Sequence, residues 1–324
     1  NLWAADVNCD GTINILDITM LNSFISGTGS LNCCSTTTPQ TYVPDNNFEA
    51  YLEINGMGNG IPYDDSVFTS AIDTVTFLDV SMGAGSATGI FDLTGIEDFT
   101  SLIDLDCSYN GINNPDLSNN LLLERLTIGY NNMYSLDISA NSVLKSLECG
   151  GAFLDSLDVS NNTELIHLYC GDNSIVYLNG IQNLLNLSNL YCQTNFITEL
   201  NISNNLQLDT LVCDNNILLT SLDLRNGNNT NLLLEAFDNP GLSCIDVDDV
   251  AWSNSNWTVV NGNIDPQHYF SADCSVTTIE EIKNSEKEIL KIVDVLGREA
   301  KENNKQLLFY IYNEGTTERK IIIE

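Results

Sequence analysis

The chain has 324 residues, of which 43% are hydrophobic, and its 44 acidic and 11 basic side chains give a net charge of −33. This composition is ordinary for a soluble globular protein, and no apolar run approaches the roughly 18–20 residues that a membrane-spanning helix requires. Before residue 278 the only basic residues are Arg125, Lys145 and Arg225, so the field of this body disfavours nucleic acid and anionic lipid and suits Ca²⁺, basic partners or simple solubility.

The first predicted element is a calcium-binding loop followed by a helix that ends near Gly27. The stretch DVNCDGTINILD, residues 6–17, has oxygen-bearing side chains at alternate positions and Gly11 at its sixth position, as in a twelve-residue Ca²⁺ loop. The candidate ligands are Asp6, Asn8, Asp10, Thr12 (through its carbonyl), Asn14 and Asp17. The loop resembles the dockerin type I repeat, of which dockerins carry two copies and this chain one. A polar turn without metal is the alternative.

A threonine-rich linker and a helical cap follow the calcium loop. The linker contains Cys33 and Cys34, and the sequence leaves open whether one of them pairs with Cys9. In the next segment, DNNFEAYLEI, Phe48 and Leu52 recur at helical spacing behind an Asp/Asn cap. We expect this helix to cover the open end of the core that follows.

Near-copies of the pattern Leu-x-x-Leu-x-Cys-x-x-Asn fill the middle of the chain. Six copies begin 21, 21, 21, 22 and 21 residues apart, at Leu102, Leu123, Leu144, Leu165, Leu187 and Leu208. This period and pattern are the leucine-rich-repeat signature: each copy forms a short strand with one buried face, and the copies stack to share a core. The asparagine at the ninth position can bond the backbone of the tight turn from inside the coil. A second pattern, DLSNN or DVSNN, runs in phase.

Five cysteines occupy the sixth position of the pattern, which Ile128 and Ala236 fill in other copies. They are Cys107, Cys149, Cys170, Cys192 and Cys213. A straight column on one sheet cannot surround a zinc ion tetrahedrally, and side chains pointing in parallel from neighbouring strands hold their Cβ atoms too far apart for a disulfide. We therefore predict buried, inert thiols.

The outward positions of the predicted strands form a candidate binding surface on the concave face. The candidate ligand-binding residues are Arg125, Tyr130, Glu148, His167, Tyr169 and Tyr191. Tyr169 and Tyr191 should stand side by side, with His167 adjacent and Tyr130 near the opposite edge. Exposed aromatic residues on a rigid sheet suit contact with a protein or a polysaccharide. The alternative is that neighbouring tyrosines only stabilise the sheet through cross-strand pairing.

The end of the chain contains a predicted disulfide cap and a predicted β-rich tail. Cys244 and Cys274 bracket the segment after the last copy, and we expect them to pair and close a cap over the core, which implies a secreted setting. Apolar alternation in the tail predicts three strands. The segments VDVLGRE, LFYIYNEGT and KIIIE resemble the C-terminal sorting domain of the type IX secretion system of Bacteroidetes, and the order of all segments resembles secreted leucine-rich-repeat proteins of marine flavobacteria.

The predicted fold is a β-rich leucine-rich-repeat solenoid with short parallel strands on its concave face, a small α-helical calcium-loop segment at the N-terminus and a short antiparallel β segment at the C-terminus. The predicted domains are a dockerin-like calcium-loop and helix repeat (1–30), a linker (31–43), an N-terminal helical cap (44–74), leucine-rich repeats (75–243), a C-terminal disulfide cap (244–277) and a type IX secretion sorting domain (278–324).

No catalytic motif accompanies this organisation. The chain contains no Gly-x-Ser-x-Gly, His-Glu-x-x-His or Walker sequence and only two histidines. We therefore predict a non-enzymatic binding module with structural Ca²⁺ that recognises a protein or polysaccharide. The resemblance to sorting domains implies contact with the type IX secretion machinery and a secreted or outer-membrane surface-attached location. Two alternatives are a non-catalytic accessory or targeting part of a larger secreted hydrolase, which the single calcium repeat suggests, and a structural spacer.

Overall fold

The computed structural model describes residues 18–19, 22, 25–27, 38–81, 89–275, 289–294, 298–301, 307–312 and 317–321. The chain divides into two units, Asn1–Asp273 and Cys274–Glu324. Among the described residues from 38 onwards, the α-helices are α1 (Asn46–Ile54), α2 (Thr69–Ile72) and α3 (Val250–Asn256), and 3₁₀ turns lie at Ile96–Asp98 and Ile181–Asn183. In chain order the strands are β1 (Gln40–Tyr42), β2 (Ser66–Phe68), β3 (Phe77–Asp79), β4 (Asp104–Asp106), β5 (Arg125–Thr127), β6 (Ser146–Glu148), β7 (Ser156–Asp158), β8 (His167–Tyr169), β9 (Tyr177–Asn179), β10 (Asn189–Tyr191), β11 (Glu199–Asn201), β12 (Thr210–Val212), β13 (Ser221–Asp223), β14 (Leu233–Glu235), β15 (Cys244–Asp246), β16 (Tyr269–Ser271), β17 (Ile289–Asp294), β18 (Leu307–Tyr312) and β19 (Thr317–Ile321).

Eight of these strands form one parallel sheet, and it contains the predicted repeats. The strand order is β14, β12, β10, β8, β6, β5, β4, β3. Neighbouring strands pair in register, so that Leu126 lies beside Leu147 and Leu147 beside Leu168. The central residue of every strand in this sheet is a leucine that is at most 2% exposed. The leucine column is therefore buried in the core, and the residues on either side of each leucine face outward.

A second set of strands lies about ten residues further along the coils, and the sequence analysis did not predict it as a sheet. Strands β11, β13, β15 and β16 form a four-stranded parallel sheet, and β7 pairs with β9. Most of these strands bury only one residue, such as Leu200 in β11 or Ile245 in β15, and a turn follows each strand. In the DVSNN copy that turn is closed by Asp158, whose Oδ1 accepts a hydrogen bond of 2.8 Å from the Ser160 N–H. We refer to these two groups of strands together as the second sheet. The second pattern in the sequence marks its strands and turns.

The predicted asparagine ladder is present inside the coils. Asn216 is fully buried, and its Nδ2 donates to the carbonyls of Cys192 and Cys213 at 3.0 Å each, while its Oδ1 accepts from the Ile197 N–H at 3.1 Å. The side chain therefore joins two successive coils. Asn110, Asn131, Asn173, Asn195 and Asn239 make equivalent bonds. Because each amide satisfies buried backbone groups of the turn, the ladder fixes the spacing of the coils.

Helices cover both ends of the stacked coils. At the N-terminal end, Asp45 caps α1 by accepting from the Phe48 N–H, and Phe48 and Leu52 are buried as predicted. The cap also contains the antiparallel pair β1–β2, so its first strand begins within the segment predicted to be a linker. At the other end, α3 brings the ring of Trp257 against Phe270, with ring centroids 5.8 Å apart. Both caps bury aromatic rings against the end of the core.

The second unit contains the predicted tail strands. Strands β17, β18 and β19 form a three-stranded antiparallel sheet with β18 in the centre. Leu308 and Tyr310 of the central strand are buried. Arg298 forms an ion pair with Asp294, the last residue of β17, with an Nη2–Oδ2 distance of 2.7 Å. The three predicted strands are therefore confirmed.

Candidate functional site

The outward side chains of the eight-stranded sheet lie in straight rows because the strands pair in register. One row runs across β5, β6, β8 and β10 and consists of Thr127, Glu148, Tyr169 and Tyr191. Two residues further along each coil, a second row contains mostly glycine. A third row, one residue beyond, contains Tyr130 on the coil of β5 and Tyr109 on the preceding coil, that of β4. Neighbouring members of a row are one strand spacing apart, about 4.8 Å.

Tyr169 and Tyr191 stand side by side, as the sequence predicts. Their ring centroids are 4.7 Å apart and the ring planes differ by 18°. Both residues are half-buried. Burial raises the pKa of the Tyr169 hydroxyl, and the neighbouring Tyr191 and Glu148 raise this pKa further. The pair therefore presents an aromatic surface beside Glu148, the in-register neighbour of Tyr169.

A second stacked pair, Tyr109 and Tyr130, occupies the third row. The ring centroids are 4.4 Å apart, the planes differ by 9°, and each residue is about half exposed. Both residues have left-handed backbone conformations, with φ of 58° and 56°, which cost a bulky residue roughly 1–2 kcal/mol each. Nearby Tyr109 raises the pKa of the Tyr130 hydroxyl, and burial and Asp172 contribute to the same shift. The sequence analysis selected Tyr130 and missed Tyr109, although both occupy the same position of the repeat.

Glycines separate the two tyrosine pairs. Gly129, Gly150 and Gly171 follow one another in the second row, and the carbonyl of Gly150 lies 2.6 Å from where a Cβ on Gly129 would be. A Cβ on Gly171 would likewise lie 2.6 Å from the amide group of Gln193. A side chain has no room at position 129 and would displace Gln193 at position 171. Both positions of the row therefore stay free of side chains. The two tyrosine pairs are the walls of the resulting depression and the glycines are its floor.

We call this depression the tyrosine cleft, and its volume is about 240 Å³. It is lined by Ser108, Tyr109, Thr127, Gly129, Tyr130, Glu148, Gly150, Tyr169, Gly171, Asp172, Tyr191 and Gln193. The cleft thus combines four aromatic rings, two carboxylates and an amide on a rigid sheet.

The structure brings four of the six predicted binding residues together and places the other two elsewhere. Tyr130, Glu148, Tyr169 and Tyr191 line the tyrosine cleft, whereas Arg125 and His167 do not. Both of these lie at the start of their strands, two residues before the row that contains Glu148. They are also engaged by neighbours: Arg125 donates from Nε and Nη2 to the same oxygen of Asp104, at 2.8 and 2.7 Å. The His167 ring forms a 2.8 Å hydrogen bond with Asn189.

The cysteine column is packing, as predicted. The five cysteines of the sixth position are free thiols and at most 1% exposed. Burial raises the pKa of each thiol, to about 12 for Cys170. A thiol that is protonated and covered is neither a nucleophile nor a metal ligand. Cys244 and Cys274, which the sequence predicts to pair, are both disulfide-bonded.

The predicted calcium ligands and Cys9, Cys33 and Cys34 lie outside the described residues. Of the segment after the loop, the described positions 18, 19, 22 and 25 are helical. Within the described part of the chain, no group of three or more His, Cys, Asp or Glu side chains is arranged to hold a metal ion. None of the described helices has the length and apolar character required to cross a bilayer.

A larger depression of about 540 Å³ lies on the second sheet, along β9, β11 and β13. Its one basic group is already engaged: Arg225 donates to both oxygens of Asp223, at 2.9 and 2.7 Å, and to the Ala272 carbonyl at 3.0 Å. The only ring in its lining is that of Tyr177. The tyrosine cleft, with four rings and two carboxylates, is the stronger candidate site.

Comparison with solved structures decides the fold. The chain is similar to internalin C2 of Listeria monocytogenes, with 20% sequence identity, coverage of 71% of this chain and 97% of that one, and a TM-score of 0.51. The chain has a leucine-rich-repeat fold.

Two other solved leucine-rich-repeat structures are matched over a smaller share of their own length. The functional domain of InlJ from Listeria monocytogenes, which includes a cysteine ladder, is 26% identical over 72% of this chain, with a TM-score of 0.43. This chain spans 61% of the length of that domain. YopM, a leucine-rich effector protein from Yersinia pestis, is 19% identical over 65% of this chain and 63% of its own, with a TM-score of 0.42. No protein-family model and no curated protein matches the chain.

Proposed function

We propose that this leucine-rich-repeat protein is a non-catalytic binding module that recognises a partner protein through the tyrosine cleft. The single observation that carries the proposal is the pair of tyrosine stacks facing each other across a glycine floor on the eight-stranded sheet. Stacked solenoid coils present extended binding surfaces, and tyrosine is enriched where proteins bind one another because its ring is rigid and carries a polar end.

The strained backbone at Tyr109 and Tyr130 supports a functional role for these rings. Other coils place Gly151, Asp172, Thr194, Asn215 or Asp238 at the same left-handed position, and all of these residue types except threonine adopt that conformation more easily than tyrosine. Tyrosine pairing that only stabilised the sheet would not need two bulky residues at a position that opposes them. A strained residue retained at a concave surface is typical of binding sites.

An array of immobilised proteins and glycans, probed with the full chain, tests this function. We expect protein ligands whose signal falls at least about tenfold in the double variant Tyr169→Ala/Tyr191→Ala, as for a hot spot. Tyr177→Ala and Tyr134→Ala are matched controls, since these tyrosines are 63% and 73% exposed and lie outside the cleft. Ligands that are bound equally by the cleft variant, or only glycan ligands, would contradict the proposal.

We also propose an extracellular setting, with export by the type IX secretion machinery and attachment to or release from the outer-membrane surface. The resemblance of the tail to sorting domains supports this, and the disulfide-bonded Cys244 and Cys274 are compatible with an oxidising compartment. Deleting residues 278–324 from the gene in a type IX-competent host should retain the protein inside the cell. Unchanged export of the truncated chain would refute this route.

For the N-terminal loop we propose a structural Ca²⁺ ion held by Asp6, Asn8, Asp10, Thr12, Asn14 and Asp17. All these donors are oxygen atoms, which is the set that this hard cation prefers. Ca²⁺ should raise the melting temperature of the loop and its helix, and Asp6→Ala/Asp10→Ala should abolish the increase. A calorimetric titration with Ca²⁺ that shows no heat of binding would refute the proposed site.

A further inference from the structure

We propose that the tyrosine cleft receives a positively charged side chain, lysine or arginine, from the partner protein. This inference rests on the function proposed above and names the chemistry that the cleft selects. It follows from how the rings are oriented, which charges surround them and which groups lack partners.

The stacking geometry leaves an aromatic surface free inside the cleft. Rings on adjacent strands that stack at 4.4–4.7 Å, close to the strand spacing, have faces directed along the row of strands. The face of Tyr169 that does not contact Tyr191 is therefore directed towards β6, where its in-register neighbour is Glu148. The coil of β6 continues with Gly150, which lines the cleft and places no side chain beside that face.

The charges around this space are all negative. Of the twelve residues that line the cleft, Glu148 and Asp172 are acidic and none is basic. The nearest coils do not supply a cation, because Arg125 is bound to Asp104 and Lys145 to Glu124, the latter at 2.9 Å. One coil further on is Asp214, whose carboxyl pKa is raised by burial first and also by Glu235, Asp238 and Asp172. Carboxylates thus crowd this end of the cleft without a compensating base.

An unpartnered acceptor lies in the same lining. The side-chain oxygen Oε1 of Gln193 is buried and accepts no hydrogen bond from any described residue. A buried acceptor without a donor is costly, and the amide lies over Gly171, at the floor of the cleft. An ammonium or guanidinium group, which carries only donors, could satisfy this oxygen together with the carboxylates.

Ring faces and carboxylates together select a cation over other ligands. The face of a tyrosine ring is negative and attracts an ammonium or guanidinium group. A neutral side chain would contact the rings but would leave the Glu148 and Asp172 carboxylates without a counter-ion. An anion would be repelled by the ring faces and by the two carboxylates. The long-range field of the body, with three basic residues before residue 278, draws basic partners towards the same surface.

The experiment is a titration of the full chain, at physiological salt, with two lysine derivatives, one with a charged and one with a neutral side chain. One is Nα-acetyl-lysine methylamide, and the other is the same compound acetylated on the side-chain nitrogen. Binding is followed by NMR through the ring signals of the tyrosines. We expect the charged probe to shift the cleft tyrosines and to bind roughly fivefold or more tightly than the neutral one.

Matched variants separate the cleft from the overall negative charge. Tyr169→Leu leaves the net charge unchanged and should weaken binding of the charged probe, whereas Tyr177→Leu on the second sheet should not. Glu148→Gln should weaken binding of the charged probe and leave the neutral probe unaffected. Glu199→Gln is its control, because Glu199 is an exposed carboxylate on β11.

Several outcomes would overturn the inference. These are equal affinity for the two probes, equal loss of charged-probe binding in Glu148→Gln and Glu199→Gln, or charged-probe binding that survives Tyr169→Leu. A protein ligand that needs the cleft tyrosines, together with equal affinity for both probes, would refute the cation and retain the proposed function. Charge-selective binding of the probe without any cleft-dependent protein ligand would refute the proposed function and retain the cation site.

Discussion

The ring of Tyr130 lies over the backbone of Gly151, one coil further along, so closely that a Cβ on Gly151 would approach the ring to 2.8 Å. The two residues occupy the same position of consecutive repeats, and both have left-handed backbone conformations. The absence of a side chain at Gly151 therefore leaves room for the Tyr130 ring of the Tyr109–Tyr130 stack. Gly151 thus makes room for Tyr130 in one wall of the tyrosine cleft, and the preceding residue, Gly150, contributes to the open floor.

Replacing Gly151 by alanine should destabilise the protein and displace Tyr130. Alanine at a φ of +67° costs roughly 1–2 kcal/mol, and the contact with the ring adds to that. Gly227→Ala is the matched control, since Gly227 has a φ of +74° but nothing within 4 Å of its Cβ position. Urea denaturation should give a larger loss for Gly151→Ala, together with a changed near-ultraviolet tyrosine signal. Equal losses and equal spectra would mean that the contact with Tyr130 is unimportant.

Removing one rung of the asparagine ladder should cost far more than removing an exposed asparagine. Asn216→Ala leaves the Ile197 N–H without its acceptor and removes one of two asparagine hydrogen bonds to each of the Cys192 and Cys213 carbonyls, for which we expect a loss of roughly 2–4 kcal/mol in the free energy of unfolding. Asn204→Ala, at an exposed side chain with one 3.3 Å bond, should change it by about 0.5 kcal/mol or less. Denaturant midpoints measure both. Similar midpoints for the two variants would show that the ladder is not what holds the coils together.

The five cysteines of the column should resist alkylation in the native protein. They are buried, and their raised pKa values keep them protonated at pH 8. Iodoacetamide followed by peptide mapping should leave all five unmodified before denaturation and modify all five afterwards. Rapid native labelling of Cys170, or failure to label it after denaturation without reductant, would disprove the assignment of a free buried thiol.

The same thiols should make the fold sensitive to alkaline pH. The pKa of Cys170 is raised in the folded state, to about 12, whereas an unfolded cysteine ionises near pH 8.5. The stability that the buried, protonated thiol contributes is fully present below pH 8.5. It is lost as pH rises towards the pKa of the folded state, by about 1.4 kcal/mol per pH unit for each thiol. Cys170→Ala should reduce the slope of unfolding free energy against pH between 9 and 10 by that amount. An unchanged slope would contradict the effect of burial.

His268 should make the C-terminal cap sensitive to mildly acidic pH. Burial is the main cause that lowers its pKa below 6.5, and Nδ1 accepts from the Asp265 N–H at 3.2 Å, which requires that nitrogen to be unprotonated. The unfolded chain takes up a proton first, so the contribution of His268 is present above pH 6.5 and is lost as pH falls from there towards the lower folded pKa. Melting temperatures between pH 7.5 and 5.5 should decline in the wild type and decline less in His268→Gln. Parallel curves would rule out His268 as the titrating group.

The parts of the fold that repeat were predictable, because each repeated residue has one physical role. Leucine at the fourth position has to be buried in every coil, and Asn216 and its equivalents have to satisfy the same buried turn. The second sheet was not predicted, because most of its strands bury a single residue, as Leu200 does in β11, and the Asp, Ser and Asn residues that follow, as in the DVSNN copy, are typical of a turn. One buried residue in three is too short a pattern to distinguish a strand from a turn.

The binding surface was predicted in part, and the errors have identifiable causes. Tyr169 and Tyr191 were found because adjacent repeats place them in one row. Tyr109 could have been found in the same way, by comparing the eighth position of the first two copies. Arg125 was selected because it lies at an outward position of its strand, although Asp104 is its in-register neighbour and forms an ion pair with it.

Hydroxyl-radical footprinting of the full chain, alone and bound to the strongest protein ligand from the array, tests the central claim most directly. We predict that Tyr109, Tyr130, Tyr169 and Tyr191 become protected on binding, while exposed Tyr134 and Tyr177 react equally in both states. Protection of Tyr177 on the second sheet, with the four cleft tyrosines unchanged, would show that the partner binds elsewhere.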